Sequence, residues 1–227
     1  PACGTGGFLL DAYHYILTKA AKSKPASHRS IQEDDDGFLR IGRLSTLNNR
    51  DRVRLEGGLI GYDFDATMVR LGLMNLMMHG IEQPKIDYAD TLSKSFSRTE
   101  EFDVILANPP FTGSIDRSEI DPNLQVNTSK TELLFIEKAL LLLKQNGSAG
   151  IIVPQGVLFS GARPYVQIRQ KLIEKCSLKA VISLPSGSFR PYAAVATAIL
   201  LIEKSGPTQK TWHSIRFNRA QPDPITT

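Results

Sequence analysis

This sequence has too little of what disulfide scaffolds, metal centres and membrane spans are made from. Only two cysteines occur in 227 residues, Cys3 and Cys176. Two such residues cannot build a disulfide framework, and they read as reduced thiols. The four histidines, His14, His28, His79 and His213, are scattered. None stands at ligand spacing from Cys, Asp or Glu, so no metal is implied. The longest apolar run, near 195–202, is too short to span a bilayer. No basic stretch followed by an apolar one opens the chain. No membrane association and a cytoplasmic location are therefore expected. An initiator Met is also lacking, and the first residues read as the inside of a strand-to-helix turn. The expectation is a fragment of a longer polypeptide.

What remains is an ordinary globular composition. Hydrophobic residues make up 41% and charged residues 22%, enough for one medium domain with a continuous core. The net charge of +4 and pI near 9.1 are compatible with a polyanionic partner without demanding one. Basic residues gather at Lys19, Lys22, Lys24 and Arg29, then at Arg40, Arg43, Arg50, Arg52 and Arg54. Runs of this kind are more often solvated loops than binding patches.

Periodicity organises the chain. Phe8, Leu9, Ala12, Tyr15 and Ile16 recur at helical spacing, predicting a helix over 7–22. The pattern is lost over 23–57, a charged and partly helical insertion holding the acidic run 33–36. A strand is expected at 59–62, then a helix over 66–79 with Gly80 at its C-terminal end. Strands follow at 86–89 and 102–107; the apolar Val104, Ile105 and Leu106 suggest burial on both faces. A helix at 131–143, a turn at Asn146-Gly147, a strand at 149–153, a helix at 164–175 and strands at 179–184 and 196–203 complete the pattern. Strands alternating with helices predict a parallel α/β sheet covered on both faces. About ten residues join the last two strands, too few for a helical crossover, so that pair should be antiparallel. A parallel sheet ending in an antiparallel pair resembles the class I methyltransferase shape, which the alternation of elements does not by itself establish. No internal repeat is present.

Two groups of residues carry chemistry. Cys3-Gly4-Thr5-Gly6-Gly7-Phe8 opens the first helix, and glycines there let the backbone turn tightly and a ligand press against main-chain N–H groups. A dinucleotide fingerprint needs a third glycine where Leu9 stands, which disfavours a nicotinamide oxidoreductase. No phosphate-binding loop occurs anywhere. The turn suits a ligand without a pyrophosphate, such as the methionine part of S-adenosyl-L-methionine. Asp63 and Asp90 follow the next two strands, where open α/β sheets bind ligands. The first can accept from ribose hydroxyls and the second from an adenine amine, with Phe64 and Thr91 beside them. Either acid alone reads better as a turn or cap residue; both in register with the glycine turn favour the cofactor reading.

Asn108-Pro109-Pro110-Phe111 ends the strand at 102–107. The prolines hold Asn108 and Pro109 extended and donate no main-chain hydrogen bond. A stiff loop then offers the Asn108 amide oxygen and the Pro109 carbonyl as neighbouring acceptors. An exocyclic amine such as adenine N6 is a poor nucleophile, because its lone pair is delocalised into the ring. Two acceptors on its hydrogens localise that pair and stabilise the developing positive charge. Phe111 offers a flat face for an extruded base. The bland reading, loop punctuation, loses weight beside the glycine turn and the two acids.

The chain resembles the modification subunits of type I restriction-modification enzymes, N6-adenine DNA methyltransferases. Pro1-Ala2-Cys3-Gly4-Thr5-Gly6-Gly7-Phe8 is similar to their DPACGTGGF motif without its leading Asp, and Asn108 to Phe111 matches NPPF. Glu132-Leu133-Leu134-Phe135, Val153-Pro154-Gln155-Gly156-Val157-Leu158-Phe159 and Leu184-Pro185-Ser186-Gly187-Ser188-Phe189 with Pro191-Tyr192 also match. The resemblance implies a class I fold truncated on its N-terminal side, with a partial catalytic domain at 1–206 and an extension at 207–227. It implies transfer of a methyl group from S-adenosyl-L-methionine to adenine N6 in DNA, and a flipped adenine as substrate. It further implies a specificity subunit and a restriction subunit as partners. Catalytic positions would be Asn108, Pro109, Pro110 and Phe111; cofactor positions would be Pro1, Ala2, Cys3, Gly4, Thr5, Gly6, Gly7, Asp63, Phe64, Asp90 and Thr91.

Three departures stand out. Gly61-Tyr62-Asp63 replaces the usual Gly-Gln-Glu, so a shorter side chain must reach the ribose. Ala89 replaces the glycine expected before Asp90. The upstream strand with its terminal Asp, and a helical N-terminal domain with a further cofactor-contacting motif, would be missing, so cofactor binding by this chain alone should be poor. The alternatives are a stand-alone DNA adenine methyltransferase, an enzyme modifying a protein glutamine amide, and a non-catalytic DNA-binding scaffold with a vestigial fold.

Overall fold

A computed structural model describes residues 1–22, 31–33, 39–41, 47–185, 187–189, 195–209 and 212–213. Much of the charged insertion lies outside the described residues, as do Ser186, Pro191, Tyr192 and most of the C-terminal extension. The chain forms two compact units: Ala2–Thr91, and Leu92–Thr227 with Pro1.

In the first unit, helix α1 (Gly7–Lys22) leads to a short antiparallel pair, β1 (Ile31–Glu33) and β2 (Leu39–Ile41), and to α2 (Asn49–Gly58). Asn48 starts α2 by accepting the Asp51 N–H at 2.8 Å, a cap for one of the helix's orphan donors. Strand β3 (Ile60–Asp63), helix α3 (Ala66–Met78) and strand β4 (Lys85–Tyr88) form a β-α-β unit in which β3 and β4 are parallel. Asp65 caps α3, accepting from Thr67 N and Met68 N. At its other end Ile81 N bonds Leu76 O and Gly80 N bonds Met77 O, with Gly80 at φ +88°. This double bond with a left-handed glycine is the Schellman ending that Gly80 led us to expect. Tyr13 and Leu17 of α1 share a core with Val69 and Leu76 of α3, Ile81 and Ile86.

The second unit is built on a five-stranded sheet of order β5-β6-β8-β7-β9. Its elements are β5 (Phe102–Ala107), α4 (Thr131–Leu142), β6 (Leu143–Pro154), α5 (Gly156–Phe159), α6 (Arg163–Lys175), β7 (Ser177–Ser183), β8 (Thr197–Glu203) and β9 (Trp212–His213). Strands β5 and β6 are parallel, and β8 runs antiparallel to both β6 and β7. The antiparallel ending expected from the ten-residue connection is therefore present. Leu133, Leu134, Ile136, Ile151, Val157, Ile168 and Leu200 are almost wholly buried.

Two expectations need correction. Strand β5 is not covered on both faces, since Val104 is 62% and Leu106 44% exposed. It lies at the edge of its sheet, where an apolar run does not guarantee cover. Asn146-Gly147 does not separate two elements either. It is a bulge within β6: pairing with β5 shifts register between Phe102 and Val104, and Asn146 takes φ 63°. The slip is three residues long, since Phe102 pairs with Leu143 and Val104 with Ser148, and the left-handed Asn146 helps the backbone make that detour.

Candidate active site

The glycine turn is braced by main-chain hydrogen bonds. The Cys3 N–H donates to Tyr62 O at 2.8 Å, and Gly6 N closes the turn on Cys3 O at 3.0 Å. Gly4 and Gly6 sit at φ +55° and +74°, a region open to glycine at no steric cost. Ala2 reaches φ 58° as well, and for a residue with a Cβ that conformation carries strain. Space is open where a side chain at Gly4 or Gly7 would stand. The α1 N-terminus directs its first main-chain N–H groups to the same end. A cradle with room beside the backbone, ending in unpaired helix N–H groups, fits a small carboxylate-bearing ligand such as the methionine end of S-adenosylmethionine.

Asp63 is drawn into this turn. Its Oδ2 accepts the Gly4 N–H at 2.8 Å and its Oδ1 the Asp65 N–H at 3.0 Å. The side chain is buried, with 7% exposure. The helix-capping role considered for Asp63 belongs instead to Asp65. Each Asp63 oxygen keeps a lone pair free of these two bonds, since a carboxylate offers about four acceptor sites. Strands β3 and β4 are tied at their ends, where Ala89 N donates to Asp63 O at 2.9 Å. Asp90 and Phe64 are exposed, whereas Thr91 is buried. Burial, with help from the Asp63 charge, pushes the Cys3 thiol up to about 11, so at neutral pH it is neither thiolate nor nucleophile.

Helix α3 supplies bracing that the sequence reading did not single out. Asn75 Nδ2 donates to Thr5 O at 2.9 Å. Gly72 lets the helix approach so closely that a Cβ there would lie 3.1 Å from Gly4 O and 2.6 Å from Ile86 Cδ1. Gly61 meets Cys3 in the same way, with Sγ 2.8 Å from where its Cβ would be. A glycine inside a helical pattern is a readable sign of close packing; Asn75 gave no such sign.

In the second unit, Asn108 to Phe111 leave the carboxyl end of β5. Asn108 and Pro110 are exposed, Pro109 is buried and Phe111 half-buried. The Phe111 ring meets Phe189 edge to face, with centroids 5.5 Å apart and planes at 83°. Such pairs contribute about 0.5–1.5 kcal/mol beyond their buried area, and this one limits how Phe111 can rock. Phe189, which belongs to the family-like stretch 184–189, stands against the candidate base platform.

The segment at 112–130 that follows the tetrad is closed at its root. Ile115 N bonds Ser129 O and Thr131 N bonds Gly113 O; a Cβ at Gly113 would lie 2.7 Å from Thr131 Oγ1. Its far part is held by charges on α4. Lys138, with 0% exposure, donates to Asp121 Oδ2 at 2.7 Å and to Phe96 O at 3.1 Å. Glu137 accepts the Gln125 N–H at 2.9 Å and the Val126 N–H at 3.1 Å, and pairs with Lys171. Burial alone would raise the Asp121 carboxyl. The Lys138 hydrogen bond and charge, with donors from Asn123, outweigh it and hold the pKa below the ordinary carboxylate value.

On the neighbouring strand, α5 follows β6 and presents Phe159, 77% exposed. The turn beneath it is fixed by Arg169, whose guanidinium donates to Val157 O and Ser160 O, both at 2.8 Å.

A family model described as N-6 DNA Methylase matches residues 1–221. The type I restriction enzyme EcoEI methylase subunit of Escherichia coli is 31% identical over 216 residues, which cover 93% of this chain and 39% of that protein. Among solved structures, a modification subunit of a putative type I restriction enzyme from Vibrio vulnificus YJ016 superposes with a TM-score of 0.73 at 27% identity. It covers 97% of this chain and 43% of that one. A chain from a structural study of type I restriction-modification complex assembly gives 0.76 at 31% identity, covering 96% and 40%. The chain thus spans about two fifths of the length of these relatives.

Proposed function

The chain belongs to the N-6 DNA methylase family, and from that premise we propose that it carries the core of a site that methylates adenine N6 in DNA. The observation that carries the reading is the Asn-Pro-Pro-Phe segment at the carboxyl end of a parallel strand, with an exposed Asn108 and a Phe111 ring steadied by Phe189.

The chain's own residues divide the work. Asn108 Oδ1 and the Pro109 carbonyl accept from the two hydrogens of the adenine amine, so that its lone pair localises on nitrogen. Charge developing on that nitrogen is stabilised by the same two oxygens. Phe111 stacks on the extruded base. The N–H groups at the α1 N-terminus hold the cofactor's carboxylate. Asp63 offers its remaining lone pairs to the ribose hydroxyls while fixing Gly4, and Asp90 accepts from the adenine amine of the cofactor. Phe64 and Thr91 flank these acids. Pro1, Ala2, Cys3, Gly4, Thr5, Gly6 and Gly7 shape the floor of the turn. When bound, S-adenosyl-L-methionine supplies a sulfonium-activated methyl group. The amine needs no strong base, because the proton it sheds after methylation is acidic enough to pass to water.

The matches to type I methylase subunits support a finer reading: a modification subunit working beside specificity and restriction subunits in the cytoplasm. In this reading the partial catalytic domain runs over 1–206 and an extension over 207–227. Among the described residues no helix is long and apolar enough to cross a membrane.

The test is Asn108→Ala in the full-length protein, assayed with a specificity subunit and labelled cofactor. Methyl transfer to DNA should fall on the order of 10²–10³-fold, with cofactor and DNA still bound. Transfer at the parent rate would remove Asn108 from the mechanism.

A further inference from the structure

Buried charge in the second unit is concentrated on the segment that follows the tetrad. Glu137 and Lys138 are adjacent on α4, with 2% and 0% exposure, and their side-chain hydrogen bonds go to residues outside the helix. Both reach outward to 92–130. Lys138 binds Asp121, itself 2% exposed, and the main chain at Phe96, with its ammonium 4.8 Å from the centre of the Phe96 ring. Asp121 in turn gathers Asn123 N and Nδ2 at 2.9 Å, while its own N–H donates to Leu92 O at 2.8 Å. Glu137 takes the next two amides that need acceptors, those of Gln125 and Val126.

Desolvating an ammonium and a carboxylate costs several kcal/mol each, and apolar residues of similar volume often do as well or better for stability. A pair kept there is poorly explained by stability. It is well explained by register, because a charge pair has one satisfying geometry whereas an apolar contact slides. The segment so registered has no helix and only isolated bridges at Ser93–Ile120 and Ser114–Lys130. It begins directly at Phe111 and returns to α4 at Thr131.

We propose that Lys138 and Asp121, with Glu137 beside them, are positioning residues: a buried latch that fixes the 112–130 segment and through it the orientation of Asn108 and Phe111. This rests on the reading of Asn108 and Phe111 given above. None of the three touches substrate in this scheme; they act through the loop they hold.

Two measurements test it. In the unaltered full-length protein, the amides of Asp121, Gln125 and Val126 should exchange with solvent as slowly as those of α4; exchange at open-loop rates would overturn the latch. The second is the paired replacement Asp121→Val with Lys138→Met, which removes both charges and leaves no buried ion unpaired. Its melting temperature should stay near the parent's, while kcat for DNA methylation falls about 10²-fold and KM for the cofactor is unchanged. A purely structural pair predicts the opposite: once melting temperature is restored, so is kcat, and that result would refute the proposal. If the paired replacement does not fold, the exchange rates decide alone. If the parent methylates no DNA, the functional reading falls while amide exchange still judges the latch.

Discussion

The glycine turn and the Asn-Pro-Pro-Phe segment are both irregular backbone at the end of a strand, yet they are held by different means. In the first unit the turn is gripped by shape. Glycines at positions 6, 61 and 72 let strand, helix and turn come within contact distance, and the polar bracing is light: one carboxylate and one amide, Asp63 and Asn75, on main-chain atoms. In the second unit the loop is longer and is gripped by buried charge, through Lys138–Asp121 and Glu137–Lys171. Shape restrains a short turn because there are few ways to deform it. A long loop has many, and only directional, strongly bonded contacts pick one out. The two regions should therefore fail differently when disturbed.

The largest effect is expected where a charge is orphaned. Glu137→Leu strips the acceptor from two amides and takes from Lys171, only 19% exposed, its carboxylate, leaving it the neutral Gln125 side-chain oxygen at 3.1 Å. Breaking one side of a buried pair costs about 3–5 kcal/mol, read as a lower midpoint in urea. A loss under about 1 kcal/mol would show that this pair behaves as a surface contact, and the contrast between the units would disappear.

Overpacking the glycine turn should cost less in stability and more in binding. Gly72→Val drives a branched side chain against Gly4 O and Ile86, at about 1–3 kcal/mol. Cofactor affinity in the full-length protein should drop disproportionately, because the turn moves as a body. If calorimetry finds stability lost but affinity kept, shape is not what holds the turn. Asn75→Ala sharpens the point, deleting a single neutral hydrogen bond worth about 0.5–1.5 kcal/mol; cofactor binding should weaken detectably with little change in melting temperature.

The smallest effect concerns reactivity. With its thiol raised to about 11, Cys3 should alkylate far more slowly than an ordinary cysteine at pH 7 to 8. Rapid modification there by iodoacetamide would mean that the turn opens in solution.

These differences also explain what the sequence disclosed. Helices α1, α3 and α6 and the antiparallel end of the sheet were legible because periodicity and connection length are local properties. Asp63 was legible as a strand-end acid, though not its bond to Gly4, which depends on the end of β3 meeting a turn far away in sequence. Glu137 and Lys138 were opaque. Every residue from Glu132 to Leu140 is buried, so α4 has no polar face to betray which charges turn inward. The bulge at Asn146-Gly147 was read as a turn because those residues favour turns wherever they occur. Phe189 could be read only as part of a family-like stretch; nothing in spacing says that it stands beside Phe111.

The strand order has a consequence for synthesis. Strand β7 is made before β8, yet its sheet neighbours are β8 and β9, both later in the sequence. On the ribosome, 177–183 must wait as an unpaired ribbon until 197–203 clears the exit tunnel and slots between it and β6. A nascent chain halted before that point presents a waiting edge, open to whatever else offers a strand.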